Sequence, residues 1–478
     1  MKTPFFVFAG VAGLLTSCAV GPNYRAPAAS EMGTPTGWHA ALPHGGTITG
    51  LTEWWKRFDD PALTRLVEAA EQNSPTIAQA VGRVREARAA VTSSRASLLP
   101  SLSGSGSITR GKNLSGGTGA AAGDTLSTTK SASADASWEL DLFGGNRRSL
   151  QGSKARLSSA EADWHDARVT LAAEVANAYT TAREYQNLIA LYNQEFSSRQ
   201  ATEQLTTLKI REGLAPRADA LSVEASTASS ASALENQRGL YAQTLNQLVM
   251  LTGLTYAQIE SALGAPAAIL RIANTVELAL PASTVSQRPD VRSAERQLAA
   301  ASADVGVAIA DALPSLSLAG SIGINTSRAG GQSTTLRTWS FGPSLNVPLF
   351  QGGANAAKIE SARARYDQAL AAYRSSVLTA VQEIEDALVR IDTVTRRRAH
   401  AEKAAGNYSL YFAAIEKSYR EGKSSLLQQE DARRQSLSAQ ESLLAVRLEQ
   451  AQSWIALYKS VGGGWETSPA VISTTASR

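Results

Sequence analysis

The chain has 478 residues, which is more than one ordinary domain needs and favours an elongated or repeated architecture. Hydrophobic residues make up 43% of it and charged residues 18%, a balance that argues against a disordered chain. The formal net charge of +4 is small for this length, and no cluster of lysines and arginines is interleaved with aromatic residues, so a nucleic-acid partner is not expected.

The N-terminus has the pattern of a bacterial lipoprotein signal. Lys2 precedes an apolar run over 5–15, and the sequence Leu-Thr-Ser-Cys that ends at Cys18 resembles a lipobox, in which a diacylglycerol alkylates the thiol. Cys18 is the only cysteine, so neither an intrachain disulfide nor a cysteine-based zinc or redox site can form. An ordinary secretory signal with an incidental cysteine is the alternative. We expect residues 1–17 to be removed and acyl chains on Cys18 to anchor the protein, in the outer membrane because Ala19 follows rather than aspartate.

The rest of the chain is an internal duplication. The sequence Leu-Pro-Ser-Leu-Ser at 99–103 recurs at 313–317, and Arg-Glu-Gly at 211–213 recurs at 420–422. The second pair has a smaller offset than the first, which predicts a shorter hairpin in the second copy. A period this long indicates two copies of one large unit and not a solenoid of short repeats.

Each copy begins with a helix, predicted at 76–98 and at 291–313, that stops before a proline. A hairpin of two alternating strands follows, at 100–143 and at 314–350. Beyond the N-terminus no stretch of about 18 apolar residues predicts a transmembrane helix, but alternating strands of roughly 10 residues suit a tilted membrane span. A soluble, half-buried sheet would alternate too. The apolar face is predicted to carry Leu102, Ile108, Ala132, Ala134, Ala136, Trp138, Leu140, Leu142, Leu316, Leu318, Ile322, Ile324, Trp339, Phe341, Leu345, Val347 and Leu349.

A pair of long helices completes each copy, at 147–252 and at 354–460. No proline lies within 147–215 or within 349–468. A helix of about 65 residues would be on the order of 100 Å long, and such a rod must pack against other long helices. In the second copy, apolar residues spaced by threes and fours predict the packing seam: Leu370, Tyr373, Val377, Val381, Ile384, Leu388 and Ile391.

The four predicted strands of one chain cannot stand alone in a bilayer, because their two edges would present unpaired N–H and C=O groups to hydrocarbon. We therefore expect the sheet to close between chains. Two chains would give eight strands around a filled interior, whereas three would give twelve strands and an aqueous lumen. Since the helices continue from the strands, the same symmetry axis would surround them with a helical tube. Together, barrel and tube predict a conduit.

Several segments carry a resemblance over nearly the whole mature chain. They are Cys-Ala-Val-Gly-Pro-Asn-Tyr at 18–24, Trp-Trp-Lys-Arg-Phe-Asp-Asp-Pro-Ala-Leu at 54–63, the repeated Leu-Pro-Ser-Leu, and the hairpin ends at 143–145 and 350–353. The sequence resembles the TolC-like outer-membrane factors of the efflux-lipoprotein subclass. The resemblance implies an α+β membrane protein, in which a trimeric transmembrane β-barrel of twelve strands, four from each chain, continues into a periplasmic helical tunnel with a mixed equatorial belt.

The resemblance further implies the exit duct of a tripartite efflux pump, which passively conducts small molecules such as drugs. Its partners would be a periplasmic adaptor and an inner-membrane transporter, usually proton-driven and of the resistance-nodulation-division type. No cofactor is expected beyond the acyl chains on Cys18. The predicted parts are a signal peptide at 1–17, a lipidated segment and the start of the belt at 18–72, the repeats at 73–272 and 273–461, and an equatorial or disordered tail at 462–478.

The helix turns are where the resemblance implies site residues. In the family, acidic residues just past the turns ring the closed periplasmic aperture, and nearby tyrosine and arginine hold it shut. Ordinary helix-end charge is the alternative, because the helix dipole favours an acid in the first turn. Ser424 departs from the pattern, since the best-known lock arginine would stand there. The matching residues are Asp219 and Asp431 for the ring, Tyr419, Arg420, Arg211 and Arg217 for closure, and Glu212, Gly213, Glu421 and Gly422 for contact with the adaptor.

No segment predicts an enzyme or a metal site. Residues 106–113 fall one residue short of a phosphate-binding loop, because Asn113 stands where magnesium needs a hydroxyl; a barrel loop is expected there. Two other functions stay open: the exit duct of a type I protein-secretion system, and a lipid-anchored coiled-coil scaffold without a pore. The exported compound is not readable from the sequence. The four histidines, which show no ligand spacing, are His39, His44, His165 and His400.

Overall fold

The computed structural model describes residues 19–40, 53–114, 124–270, 281–329 and 331–463. Cys18 and the predicted signal peptide lie outside the described residues, as does the predicted tail from residue 464 onward. The described chain contains one order of elements twice, namely a helix, a hairpin and two long helices.

The first copy runs through helices α1 (Pro61–Asn73) and α2 (Pro75–Ala96), strands β1 (Ser101–Leu114) and β2 (Asp124–Leu140), and helices α3 (Gly145–Arg211) and α4 (Arg217–Thr252). Helices α5 (Tyr256–Leu263) and α6 (Pro281–Ser286) lead to the second, which contains α7 (Pro289–Ala310), β3 (Ser315–Ala329), β4 (Gln332–Asn346), α8 (Ala354–Arg420) and α9 (Leu426–Ser460). The predicted α+β fold and order of elements are confirmed, as is the shorter second hairpin, whereas closure of the sheet between chains stays a prediction.

The contacts divide the chain into two compact units. The first comprises Met1–Ala26, Arg83–Glu161 and Ser293–Tyr373, and contains the sheet with the helix segments that adjoin it. The second comprises Pro27–Gly82, Ala162–Arg292 and Arg374–Arg478, and contains both turns between long helices. Each unit therefore takes segments from both sequence repeats.

The four strands form one antiparallel sheet in the order β1-β2-β3-β4. Residues that pair directly share a face, so the register assigns each side chain to one of two faces. The serine face carries Ser101, Ser103, Ser105, Ser107, Ser131, Ser133, Asp135, Ser137, Glu139, Ser315, Ser317, Ser321, Asn325, Leu336, Ser340 and Ser344. The apolar face carries Leu102, Ile108, Ala132, Ala134, Ala136, Trp138, Leu140, Leu316, Leu318, Ile322, Ile324, Trp339, Phe341 and Leu345.

The strands end earlier than the alternation predicts, so the placement of Leu142, Val347 and Leu349 on the apolar face is wrong. Strand β4 ends at Asn346, because Pro348 has no N–H to donate to a ladder. Strand β2 ends at Leu140 because the next residue caps a helix instead. The carboxylate of Asp141 accepts hydrogen bonds from the backbone N–H groups of Asn146 at 3.1 Å and Arg147 at 3.0 Å, at the start of α3. Helix α2 also ends earlier than predicted, at Ala96.

Helices α2 and α7 each begin at a proline and end before the Leu-Pro-Ser-Leu repeat. Pro75 and Pro289 occupy the first helical position, where the missing N–H has no partner to lose, so the helices start earlier than predicted. At the other end of α2, the N–H of Leu99 bonds the carbonyl of Ala96 at 2.9 Å in a tight turn. The predicted ends at 98 and 313 are therefore too late.

The Trp-Trp segment forms part of the core of the second unit. The indole of Trp54 is fully buried and stacks on the ring of Tyr458, with 5.2 Å between ring centroids. Asp60 caps α1 by accepting from the N–H of Ala62 at 2.9 Å, and also accepts from the hydroxyl of Tyr179 at 2.6 Å. Residues 54–63 thus fasten α1 to α3 and α9.

Val20 and Gly21 pack within the first unit, at the end of the sheet where the strands join the helices. The N–H of Val20 donates to the carbonyl of Phe143 at 3.0 Å, and the buried guanidinium of Arg148 donates to the carbonyls of Val20 at 3.0 Å and Gly21 at 3.2 Å. Gly21 has φ +90 and lies so close to Gly306 that a Cβ at Gly21 would be 2.5 Å from its Cα. Only glycine fits there.

Candidate functional site

The serine face of the sheet offers a wall of paired hydroxyl groups. Serines that face each other across strands are hydrogen-bonded, with 2.8 Å between the hydroxyl oxygens of Ser107 and Ser131 and 2.8 Å between those of Ser321 and Ser340. Within the described strands this face carries no lysine or arginine, and its carboxylates are Asp135 and Glu139. Chemically, this face of the described strands is polar and nearly neutral.

The apolar face of the sheet is exposed in the single chain. The side chain of Trp339 is 80% exposed and that of Leu102 is 78% exposed. A contiguous patch of exposed, large apolar side chains marks a surface that meets lipid or protein. This face of the sheet is such a patch. In the described part of the chain, no helix is long and apolar enough to cross a membrane.

The two turns between long helices have the same backbone geometry. Gly213 and Gly422 both have φ 75, and each ends its helix in a Schellman motif. The N–H of Leu214 bonds the carbonyl of Lys209 at 2.7 Å, and the N–H of Lys423 bonds that of Ser418 at 2.8 Å. Beside these glycines, the predicted adaptor-contacting residues Glu212 and Glu421 are exposed, and Glu421 pairs with Lys423 at 2.7 Å.

Of the predicted lock residues, Tyr419 is held against the first long helix of the same chain. Its side chain is buried, its hydroxyl lies 3.2 Å from that of Thr206, and the ammonium of Lys209 lies 3.9 Å from its ring centroid. The neighbouring Arg420 points away, is exposed and pairs with Glu416 at 3.1 Å.

The remaining predicted residues are not brought together in one chain. Asp431 forms an ion pair with Arg434 at 2.9 Å on the surface of α9. Among the described residues, no ion pair joins Asp219 to Arg211 or Arg217, which flank the first turn. Ser424 donates from its hydroxyl to the carbonyl of Ile415 at 3.2 Å. A ring of these residues would have to come from several chains, so their roles stay predictions.

A buried polar cluster near Tyr419 was missed by the sequence reasoning. Arg199 on α3 pairs with Glu195 at 2.7 Å and with Glu430 on α9 at 2.6 Å. Arg433, only 1% exposed, donates to the hydroxyl of Thr202 at 2.8 Å and lies 3.4 Å from the carboxylate of Glu430. These four residues, Glu195, Arg199, Glu430 and Arg433, are called the buried cluster below.

Burial dominates the electrostatics of the buried cluster. Desolvation raises the pKa of Glu195, against the opposing effect of Arg199, and lowers the pKa of Arg433. The guanidinium of Arg433 also lies 5.2 Å from the ring centroid of Phe412, beside a cavity of about 330 Å³. The cluster therefore ties α3, α8 and α9 together next to the predicted gate.

A sequence signal for this cluster does exist. Charged residues that recur at helical spacing indicate solvated ion pairs by default. However, Gln429, Arg433 and Ser436 of α9 are spaced by four and three, so they share one face of the helix, and all are buried. An arginine on the buried face of a long helix is the feature that distinguishes a buried pair from a surface pair.

The segments considered for catalysis or metal binding have other roles. Residues 106–113 belong to strand β1, so the expected loop is wrong, and the next described element is strand β2. His165 contacts Trp164, with 4.6 Å between ring centroids, and burial lowers its pKa to about 4. Within the described ranges, no group of three or more His, Cys, Asp or Glu residues is placed to hold a metal ion.

Comparison with known proteins gives consistent matches. The family described as outer membrane efflux protein matches residues 66–254 and 280–463. Nodulation protein T of Rhizobium leguminosarum bv. viciae is 32% identical over 477 residues, which cover 97% of this chain and 95% of that protein. The toluene efflux pump outer membrane protein TtgI of Pseudomonas putida is 32% identical, with 95% of this chain and 97% of that protein covered.

Solved structures share the fold over almost the whole chain. The outer-membrane channel OprN superposes with a TM-score of 0.81 at 31% identity, and the match covers 94% of this chain and 100% of that one. The CmeC outer membrane channel of Campylobacter jejuni has a TM-score of 0.80 at 24% identity, with 94% and 96% covered, and supports the fold alone.

Proposed function

This chain belongs to the outer membrane efflux protein family and is an outer-membrane efflux channel, and we propose that three copies of it form the duct. One observation carries this proposal. The sheet has a serine face and an exposed apolar face, and its end strands β1 and β4 each have one neighbour within the chain. In a bilayer those edges must be paired, and three chains of four strands give a barrel wide enough for an aqueous lumen.

The proposed duct conducts passively and is not an enzyme. Its wall would be the serine face, whose hydroxyl groups bond to one another and whose charge is low. Relatives of similar identity are named for toluene efflux and for pyoverdine export. Since such different compounds leave through similar ducts, we place the choice of small molecule in an inner-membrane transporter, which a periplasmic adaptor would connect to the turns at Gly213 and Gly422.

Acylation of Cys18 belongs to the same proposal. The residue next to it, Ala19, lies against Gly144, where an added Cβ would be 2.6 Å from the Cβ of Ala19. Gly144 follows β2 at the end of the sheet that joins the helices. Acyl chains on Cys18 would therefore enter the membrane beside the barrel, which supports an anchored form over an incidental cysteine.

The test combines assembly with conduction. Detergent-purified protein should be trimeric by mass photometry, and its incorporation into planar bilayers should give discrete channel steps. A monodisperse monomer that retains its β-sheet signal and gives no conductance would contradict the duct and favour the scaffold. A secretion duct is the third outcome, and export of a co-expressed protein substrate without efflux of small molecules would indicate it.

A further inference from the structure

The apolar face of the sheet ends in a group of exposed cations near the hairpin tips. Four of them, one from each strand, lie in adjacent rows: Arg110 from β1, Lys130 from β2, Arg328 from β3 and Arg337 from β4. Lys112 of β1, which has an interaction partner of its own, lies one row nearer the tip on the same face. All four are exposed. These four residues are called the basic collar below.

The pairing register places the basic collar in three adjacent rows. Arg110 and Arg328 both pair with Thr128, so their backbones are two strand spacings apart, or about 10 Å. Lys130 lies one row nearer the helices than Arg110. Arg337, which pairs with Ile324, lies one row nearer the helices than Lys130. Successive rows on one face are about 7 Å apart. Long, flexible side chains can therefore converge from all four strands on one group of anions.

Carboxylates are few near the basic collar. Asp135 and Glu139 lie on the opposite face of the described strands, and the backbone of Asp124, which is on the same face, pairs with Leu114 two rows nearer the tip than Arg110. Among the described residues, no member of the collar forms an ion pair. The collar therefore has an unmet demand for negative charge on a surface whose neighbouring rows are apolar.

The position of the collar defines the chemistry that it meets. Below it, toward the helices, the same face carries Ile322, Trp339 and Phe341, which suit the hydrocarbon layer. A lysine or arginine on the lipid face is costly at the bilayer midplane and nearly neutral at the interface. Since the collar begins where the apolar rows end, it marks the level of the lipid headgroups.

We propose that the basic collar binds the phosphate groups of the glycolipid that forms the outer leaflet, a proposal that rests on the lipid-facing orientation in the proposed function. The hairpin tips lie at the opposite end of the sheet from the helices and so face the outer leaflet. Arginine holds phosphate through two parallel hydrogen bonds, and lysine adds a point charge. Four cations over three rows fit a headgroup with more than one phosphate better than a single phosphodiester.

The experiment compares lipids on the purified full-length protein. Trimers in nanodiscs are exposed to bisphosphorylated lipid A or to the same lipid after enzymatic removal of both phosphates, and bound lipid is counted by native mass spectrometry. We expect the wild-type protein to retain at least about tenfold more of the phosphorylated lipid, with a preference that falls as salt rises. Equal retention of both lipids by the wild-type protein would overturn the proposal without any variant.

Variants locate the binding. Replacing all four collar residues by glutamine should abolish the preference, whereas Arg110→Lys with Arg328→Lys and Arg337→Lys should keep most of it. A control with the same change of charge, in which Lys358, Arg363, Arg365 and Arg374 of α8 become glutamine, should bind like wild type. A collar variant that keeps the preference overturns the assignment of these residues.

Channel recordings separate this inference from the proposed function. Both glutamine variants should assemble and conduct like wild type, because the collar lies on the face away from the serine wall. A wild-type channel that conducts and has no lipid preference overturns the collar alone. A protein that neither assembles nor conducts overturns the duct and the collar with it.

Discussion

The hydroxyl of Tyr419 lies 3.2 Å from the hydroxyl of Thr206, which fastens the last turn of α8 to α3 within one chain. If the aperture opens by movement of α8 and α9, this hydrogen bond must break. Tyr419→Phe removes the hydroxyl and keeps the ring under Lys209. A lost hydrogen bond of about 0.5–1.5 kcal/mol should raise the open population by about 2- to 10-fold. Single-channel recording measures this open population. The control is Tyr408→Phe, which changes an exposed tyrosine of the same helix. No change in open time would remove Tyr419 from the lock.

The buried cluster predicts a large contrast between two adjacent arginines. Arg433→Ala leaves the hydroxyl of Thr202 without its charged donor and leaves Glu430 with Arg199 alone, and losing a hydrogen bond from a charged group costs about 1.5–3 kcal/mol. Arg434→Ala removes a surface pair with Asp431, which contributes about 0–1 kcal/mol. Thermal unfolding followed by circular dichroism should show a much lower midpoint for the first variant. Equal midpoints would mean that the cluster is not desolvated in the assembled protein.

His165 and Asp166 should give stability slopes of opposite sign in acid. Burial, then Arg168 and Arg292, lowers the pKa of His165 from 6.5 to about 4, so its contribution is present above pH 6.5 and is lost as the pH falls toward 4. Burial, then Asp290, raises the pKa of Asp166 from 3.8 to about 6, so its contribution is present below pH 3.8 and is lost as the pH rises toward 6.

The two single variants separate these slopes. Between pH 6 and pH 4.5, His165→Gln should lose less stability than wild type, and Asp166→Asn should lose more. The midpoint of thermal unfolding at several pH values gives the comparison. Parallel curves for wild type and both variants would show that neither group titrates as its burial implies.

The two gate carboxylates should contribute unequally to ion selectivity. Asp431 is partly neutralised by Arg434, whereas Asp219 has no ion pair among the described residues. If both repeat around an aperture, like charges crowd a small ring that favours cations. Asp219→Ala should therefore weaken block by divalent cations in planar bilayers more than Asp431→Ala does. Unchanged block in the double variant would exclude these residues from the aperture and leave the duct intact.

The anchor has a direct chemical test. Wild-type protein should incorporate a fatty-acid label during growth, and Cys18→Ser should not, because the chain has no other thiol for the modification. A variant at a position that is also near the N-terminus, Ser30→Ala, serves as the control. Wild-type protein without label would show that Cys18 is an incidental cysteine.

Much of the fold was predictable because its periodicities are long and its breakers are few. The repeat of Leu-Pro-Ser-Leu, the alternation around Trp138 and Trp339, and the glycines at 213 and 422 gave the hairpins and the helix pairs. Strand ends were not predictable, since Pro348 and the cap by Asp141 override alternation that continues beyond them.

The candidate site was less accessible to sequence reasoning. Arg433 has the spacing of the buried face of its helix, but its contacts with Thr202 and Phe412 follow from how three helices pack, which no local pattern records. The hydrogen bond from Arg148 to the carbonyl of Val20 joins residues that are far apart in the chain. A ring of Asp219 and Asp431 needs several chains, so it stays a prediction that one chain does not test.

The hydrogen-bonded serines have a consequence for the kinetics of export. Each hydroxyl pair, such as Ser107 with Ser131, already satisfies part of its own bonding, so a passing solute gains little by displacing water from it. In the proposed duct, transit along this wall would then resemble diffusion through a short column of water. Flux through the barrel should grow in proportion to concentration without saturating, and any saturation measured for the whole system would report a different component.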